Sequence, residues 1–301
     1  MRVLVIGASG QLGTALVTTF SRGHEIVQAV HHRPGPGQLS IDLADPASIQ
    51  AVLEASRPEL VLIAGAFCHV DRCETEWEAC SRVNVDGPRL VAEFARTQGA
   101  RAVYYSTDHL YDGTSESSRE DDAIHPLNKY ALSKAHGEAA LREVLPDRHL
   151  ILRAAWVYGP DPQRRNFALR LVGRVAVGEP VIVPADQWGS PTYTEDLALA
   201  TRYLVERGLA GTFHATGPEL VDRASLARRI CRTFGLDTSR IVAKPTNELG
   251  QAAPRPLRVR LDCTKLAGTG APPFRGVDAG LAALRAWHVA QEQATGVGSR
   301  H

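Results

Sequence analysis

A phenol and an ammonium four residues apart are the groups in this chain best placed to move a proton. Tyr130 and Lys134 lie in the run Asn128–Lys134, whose pattern reads as helix, so both side chains project from one face. Only four of the 34 basic residues are lysines (Lys129, Lys134, Lys244 and Lys265), and no other tyrosine has a lysine at this spacing. A tyrosine at its ordinary pKa of about 10 exchanges protons sluggishly at neutral pH, and a neighbouring cation favours its phenolate. Bringing it toward 7 asks for roughly 3 units, about 4 kcal/mol, within reach of positive charge packed beside it. The run Tyr104–Asp108 reads as a strand end that carries the Thr107 hydroxyl toward the same helix. A hydroxyl there can hydrogen-bond a carbonyl oxygen that Tyr130 protonates.

Such chemistry needs a hydride, and the N-terminus provides for its carrier. Arg2–Ile6 reads as a buried strand running into Gly7-Ala8-Ser9-Gly10-Gln11-Leu12-Gly13 and then an amphipathic helix, the order of a dinucleotide site. Gly7 permits the tight turn, Gly10 lets backbone approach a pyrophosphate, Gly13 lets helix pack on strand, and free N–H groups at the helix start face the anion. About 20 residues on, an acid would hold an NAD ribose 2′-OH. Here the chain reads His31-His32-Arg33. Arg33, helped by His31 or His32, reads as a ligand for a 2′-phosphate, which favours NADPH and leaves NADH open. Asp42 and Leu43, next along, are placed to flank the adenine. The reaction that follows is reduction of a carbonyl: Tyr130 supplies the proton, Thr107 holds the oxygen, and Lys134 holds the cofactor ribose while biasing Tyr130.

The elements that must position these groups are legible as strand-like runs at Glu25–Val30, Leu60–Ala66, Ala102–Ser106 and Leu150–Val157, alternating with helical ones to about residue 160. That alternation predicts an α/β fold, a Rossmann-like doubly wound parallel sheet. Asp45-Pro46 marks one helix start as N-cap and first residue, and Asp86-Gly87-Pro88 marks a start or kink in the stretch Glu74–Gln98. Beyond Gly159-Pro160, helical runs near Asn166–Val177, Glu195–Arg207, Ser225–Phe234 and Val277–Gln291 mix with short strands. The reading is a dinucleotide-binding domain over 1–159 and a smaller, discontinuous C-terminal substrate domain over 160–292, some of whose segments return to the sheet. Residues 293–301 form a flexible tail.

Composition frames the same picture. The 301 residues carry a formal charge of +1 and ordinary apolar content, which point to a globular enzyme and away from nucleic acid and acidic membranes. Neither a signal peptide nor a membrane span is expected, and a cytoplasmic location follows. Five cysteines without a CxxC pair argue against a disulfide framework. Cys68, His69, Cys73 and Cys80 match no zinc spacing, so no metal is expected.

Gly7–Gly13, Ser106-Thr107-Asp108 and Tyr130-x-x-x-Lys134 together resemble the extended short-chain dehydrogenases/reductases, and within them the dTDP-4-dehydrorhamnose reductase branch. Further segments carry the likeness to about residue 288: Val83–Gly87, Pro126-Leu127-Asn128, Trp156–Gly159, Asn166-Phe167, Asp186–Thr192 and Arg260-Leu261-Asp262. The resemblance implies reduction of the 4-keto group of a nucleotide-linked 6-deoxy sugar by Thr107, Tyr130 and Lys134. It implies cofactor contacts from Gly7, Gly10, Gln11, Leu12, Asp42, Leu43, Ala64, Gly65, Ala66, Tyr105, Tyr130 and Lys134. Substrate contacts are implied for Val70, Thr107, Asp108, Trp156, Asn166 and Gln187, with Trp156 stacking on the sugar ring. Two departures stand out: Phe67-Cys68-His69 loses two hydroxyls that the branch places beside the substrate, and His109 follows Thr107-Asp108 where sugar-nucleotide 4,6-dehydratases carry an acid. Dehydration is thereby disfavoured. A non-catalytic NADP-binding subunit resembling the β subunit of methionine adenosyltransferase, an epimerase, and pairing as a homodimer stay open.

Overall fold

The computed structural model describes residues 1–294. Six strands, β1 (Arg2–Ile6), β2 (Glu25–Val30), β3 (Gln38–Ser40), β4 (Leu60–Ile63), β5 (Arg101–Thr107) and β6 (His149–Ala154), join the late strand Gly211–His214 in one parallel sheet. Its order is Gly211–His214, β6, β5, β4, β1, β2, β3, so the chain reverses direction of travel between β1 and β4. Ligands of such sheets bind beyond the carboxyl ends of the strands at that switch point.

Alternation along each strand divides the core into two layers, because successive side chains leave opposite faces. Val3, Val5, Leu60, Leu62, Val103, Tyr105 and Leu152 pack with α1 (Gln11–Phe20) and the helix Thr194–Glu206. Leu4, Ile6, Val61, Ile63, Tyr104 and Ile151 pack on the other side against α2 (Pro46–Ser56) and later helices. Asp45 caps α2 as the sequence predicts, accepting from the Ala47 N–H at 3.0 Å.

The helical stretch read from the sequence over Glu74–Gln98, with a start or kink at Asp86-Gly87-Pro88, begins at Val70 and is divided. Helices α3 (Val70–Thr75) and α4 (Trp77–Ser81) lead into a π-helical turn over Arg82–Asp86 and then α5 (Gly87–Gln98). Pro88 carries no N–H, and the wider turn before it absorbs the missing bond. Two strands are shorter than their apolar runs: β4 ends at Ile63, and the run Leu150–Val157 breaks at Trp156, whose φ is +44°.

Helix α6 (Lys129–Val144) carries the Tyr130–Lys134 face, and its start is set by Asn128, which accepts from the Ala131 N–H at 2.8 Å. One turn beyond Lys134, the buried Glu138 carboxylate grips Arg153 of β6 at 2.9 and 2.8 Å. Arg153 also donates to the Tyr111 hydroxyl at 2.6 Å.

A third core, built from Leu169, Val172, Val181, Leu226, Ile230 and Leu281, lies in the second half of the chain. Short strand pairs hold it: Val157–Tyr158 with Thr192–Tyr193, Trp188–Gly189 with Val221–Asp222, and Val181–Pro184 with Ile241–Lys244. The helix Thr194–Glu206 packs on the seven-stranded sheet, and strand Gly211–His214 forms its edge. The last helix, Val277–Ala294, takes in Gln293 and Ala294, which the sequence reading assigned to a tail; residues 295–301 lie outside the described residues.

Removing one member of a buried ion pair leaves the other uncompensated, at a cost of about 3–5 kcal/mol. Glu138→Met therefore lowers the unfolding free energy by about that amount in denaturant titrations, and adding Arg153→Met recovers most of it. A double variant no more stable than Glu138→Met would contradict this role of the pair.

Candidate functional site

The turns after β1 and β4 abut at the switch point. Gly7 has φ +84°, and a Cβ there would lie 2.6 Å from the Gly65 nitrogen. The Ala64 and Gly65 N–H groups both donate to the Ile6 carbonyl at 2.9 Å. A Cβ on Gly13 would collide with the Gly7 carbonyl oxygen, so glycine there sets the approach of α1 to β1. Gly10 begins α1 and no side chain caps it. The first N–H groups of the helix, at Gln11 and Leu12, are thus available to an anion. The Gln11 side chain is used elsewhere: its amide oxygen, in the orientation its neighbours require, accepts from the Tyr158 and Gly159 N–H groups at 3.2 Å. A dinucleotide fits this cradle, with its pyrophosphate on the Gly10–Leu12 backbone.

At the far edge, Arg33 is exposed with φ +53°. His31 stacks on His32 with ring centroids 3.7 Å apart, and its Nε2 lies 3.6 Å from the Asp42 carboxylate. Leu43 is buried against Gly65 and Gly87.

Opposite the glycine turns stand the end of β5 and the start of α6. The Thr107 hydroxyl donates to the Asp108 carboxylate at 3.2 Å, and both residues are buried. Tyr130 lies half-buried, with its ring edge-on to His109 at 6.0 Å. Burial, then the negative ends of Cys68 and Asp108, push the Tyr130 phenol well above its ordinary pKa, and the Thr107 hydroxyl pulls the other way. These influences outweigh any from Lys134. The lysine Nζ sits 3.8 Å over the Tyr104 ring, and burial lowers its pKa to about 8 against the pull of Cys68, Glu138 and Cys80. The lowered pKa read from the sequence calls for the adjacent lysine together with the positive nicotinamide of an oxidised cofactor, and in the chain alone burial holds the phenol high. Without a ligand Tyr130 holds its proton, the state a donor to a carbonyl requires.

Asn84, which residue-by-residue reading passed over, ties these parts together from the π-helical turn. Its amide accepts from the Phe67 N–H at 2.8 Å and donates to the Phe67 carbonyl at 3.1 Å and to Ser133 of α6 at 2.9 Å. Its own carbonyl accepts from the Tyr104 hydroxyl at 2.9 Å. The sequence signals were the Asp86-Gly87-Pro88 break and the family likeness of Val83–Gly87, neither of which gave Asn84 a role. Cys68, next to this clamp, is exposed rather than packed in a core. Cys73 and Cys80 are buried with their sulfurs 2.9 Å apart, and all five cysteines are free. Among the described residues no group of three or more acidic, histidine or cysteine side chains could hold a metal ion.

Several expected contacts have other duties. The Tyr105 phenol is buried on the opposite face of the sheet and donates to Thr201 at 3.2 Å. Asn166 caps the helix Phe167–Ala176, accepting from the Leu169 N–H at 2.9 Å and donating to the Gly159 carbonyl at 3.0 Å. Gln187 donates to Thr246 and Gln251, both at 3.1 Å. Val70 opens α3 half-buried, and its neighbour Asp71 binds Arg255 at 2.7 and 2.8 Å. The Pro254 carbonyl accepts from Asn128 at 2.8 Å, so the Ala253–Arg255 segment is drawn over the start of α6. Trp156 is covered by Arg223, whose guanidinium lies 3.4 Å from the indole centroid. Arg223 was absent from the sequence reading.

A doubly wound sheet, a glycine cradle at its switch point and a Thr–Tyr–Lys set facing it define an extended short-chain dehydrogenase/reductase. Within that class the chain belongs to the family described as the RmlD substrate binding domain, whose model matches residues 1–286. It is 34% identical over 294 residues to the dTDP-4-keto-6-deoxy-D-glucose reductase of Streptomyces niveus, covering 97% of this chain and 96% of that protein. It is 35% identical over 282 residues to the dTDP-4-dehydrorhamnose reductase of Streptomyces griseus, covering 91% and 90%. The dTDP-4-dehydrorhamnose reductase of Bacillus anthracis, solved in complex with NADP, superposes with a TM-score of 0.86 at 28% identity, covering 94% of this chain and 98% of that one. Among the described residues no helix is long and apolar enough to cross a membrane.

The Lys134 value sets a pH dependence. A base whose pKa is lowered to about 8 is charged below that pH, and its hydrogen bond to a ribose weakens as it loses the proton. The NADPH dissociation constant, followed by fluorescence between pH 6 and 10, should stay flat below 7 and rise above 8, and Lys134→Arg should remove the break. A wild-type profile flat to pH 10 would contradict it.

Proposed function

We propose that this protein reduces the 4-keto group of a nucleotide-linked 6-deoxy sugar with NADPH. What supports the reading is Thr107 at the end of β5 acting on Tyr130 of α6, with Lys134 one turn on over Tyr104, in a family whose relatives are named for this reduction. The bound dinucleotide supplies the hydride. The Thr107 hydroxyl, set by its bond to Asp108, orients the carbonyl oxygen, and Tyr130 donates the proton as charge develops there. Lys134, held over Tyr104, reaches the cofactor ribose, and its charge steadies the tyrosinate that forms. Residues 1–159 hold the cofactor and the second half of the chain closes over the sugar. Five free cysteines fit a reducing, cytoplasmic setting.

The intact proton-transfer set favours chemistry over a purely regulatory subunit, and His109 after Thr107-Asp108 supplies no acid for elimination. A preference for NADPH is supported by Arg33, which is exposed, makes no ion pair among the described residues and follows β2 where the sequence reading puts a 2′-phosphate ligand.

NADPH consumption across dTDP-, UDP- and GDP-linked 4-keto-6-deoxy sugars tests the reading: at least one dTDP sugar should yield the 4-hydroxy product with stoichiometric NADPH loss. No turnover on any of them would contradict it. A guanidinium on a phosphate is worth roughly 1.5–3 kcal/mol, so Arg33→Ala should cut the NADPH-over-NADH preference about tenfold or more. Equal losses for both cofactors would make Arg33 a surface residue only.

A further inference from the structure

Arg223, a half-buried cation of the second half of the chain, makes no ion pair among the described residues. Arg223 opens the helix Arg223–Phe234, with its N–H bound to the Gln187 carbonyl at 2.9 Å and Asp222 capping the helix by accepting from the Ser225 N–H at 2.8 Å. The pairing of Val221–Asp222 with Trp188–Gly189 brings it onto Trp156. Its guanidinium carbon lies 3.4 Å from the indole centroid and 4.7 Å from the Phe167 ring. Gly189 closes on the same indole, where a Cβ would sit 2.5 Å from Cε2. Gly189 and Arg223 both pack on the indole, and the guanidinium covers a ring face that a sugar would otherwise meet.

The guanidinium makes no ion pair or hydrogen bond among the described residues; Asp108, already bound by Thr107, acts on it only from a distance. Burial lowers its pKa to about 9, which still leaves it charged at neutral pH. A half-buried, unpaired cation is costly to a folded chain. Its planar faces are turned to aromatic rings, leaving its N–H edge as the binding surface. Beside it opens a cavity of about 180 Å³ walled by Trp156, Phe167, Leu226 and Ile230, with no carboxylate in its lining.

We propose that Arg223 is the anion-reading residue of the substrate cleft, its edge taking an anionic oxygen of the substrate while Trp156 and Phe167 fix its plane. The inference rests on the nucleotide-sugar reading above. The oxygen is one of the nucleotide phosphate oxygens, because every such substrate carries them and a 6-deoxy sugar has no carboxylate at C6.

Calorimetry on the NADP-saturated protein separates the cases, with dTDP, thymidine, UDP-glucose and UDP-glucuronate as probes. Arg223→Leu should weaken dTDP at least tenfold, leave thymidine and NADP within twofold, and abolish the salt dependence of dTDP binding, while Arg223→Lys restores part of it. Its melting temperature should equal or exceed that of the wild type, since an unpaired charge is removed. Loss confined to the preference for UDP-glucuronate over UDP-glucose would overturn the phosphate role and put the anion on a uronate sugar, against the 6-deoxy reading. A wild type that binds dTDP and a leucine variant that binds dTDP and UDP-glucuronate equally well would overturn the inference and leave the nucleotide-sugar reading standing. A wild type that binds none of the four would bring down both.

Discussion

The site depends on how closely α6 is seated against the sheet. A Cβ on Gly137 would collide with the Asn84 carbonyl oxygen and the Tyr104 hydroxyl, so only glycine allows this approach. Tyr130, Lys134, Gly137, Glu138 and Leu141 form one stripe at helical spacing. Each rung has its own partner: Lys134 covers Tyr104, Gly137 meets Asn84, and Glu138 grips Arg153 of β6. Any shift of that helix would move Tyr130 away from Thr107.

Burial decides the protonation states that this seating creates. Desolvation raises the Tyr130 phenol and lowers the Lys134 ammonium, so each is pushed toward its neutral form. A phenol that keeps its proton and a lysine near its own titration suit a carbonyl reduction, in which the donor must arrive loaded. The cost of burying Glu138 is offset by Arg153, which holds its carboxyl below the usual range. Arg223, half-buried in the second half of the chain, makes no ion pair among the described residues.

Local signals carried the sheet and the cofactor cradle. Gly7 and Gly13 are dictated by close approach, and Asp45-Pro46 by helix capping, so short stretches sufficed to find them. Tyr130 and Lys134 were legible because one helix turn relates them. The substrate side was harder, since its contacts are settled by pairings far apart in sequence. Asn166 and Gln187 carry suitable polar groups, yet a helix cap and a loop link use them. Arg223 meets Trp156 only through the pairing of Val221–Asp222 with Trp188–Gly189. Tyr104 and Tyr105 show the same limit on a smaller scale: alternation separates their faces, and only the packed helices show that Tyr104 lies beside Lys134.

The central claim is that the Tyr130 phenol delivers the proton to the reduced carbonyl. Single-turnover reduction of a dTDP-4-keto-6-deoxy sugar by NADPH-saturated Tyr130→Phe, followed at 340 nm beside a titration of NADPH affinity, tests it most directly. Loss of a positioned acid costs on the order of a hundred- to ten-thousandfold, so the rate should fall by that factor with NADPH binding within about twofold of wild type. A variant that keeps more than half of the wild-type single-turnover rate would contradict the account.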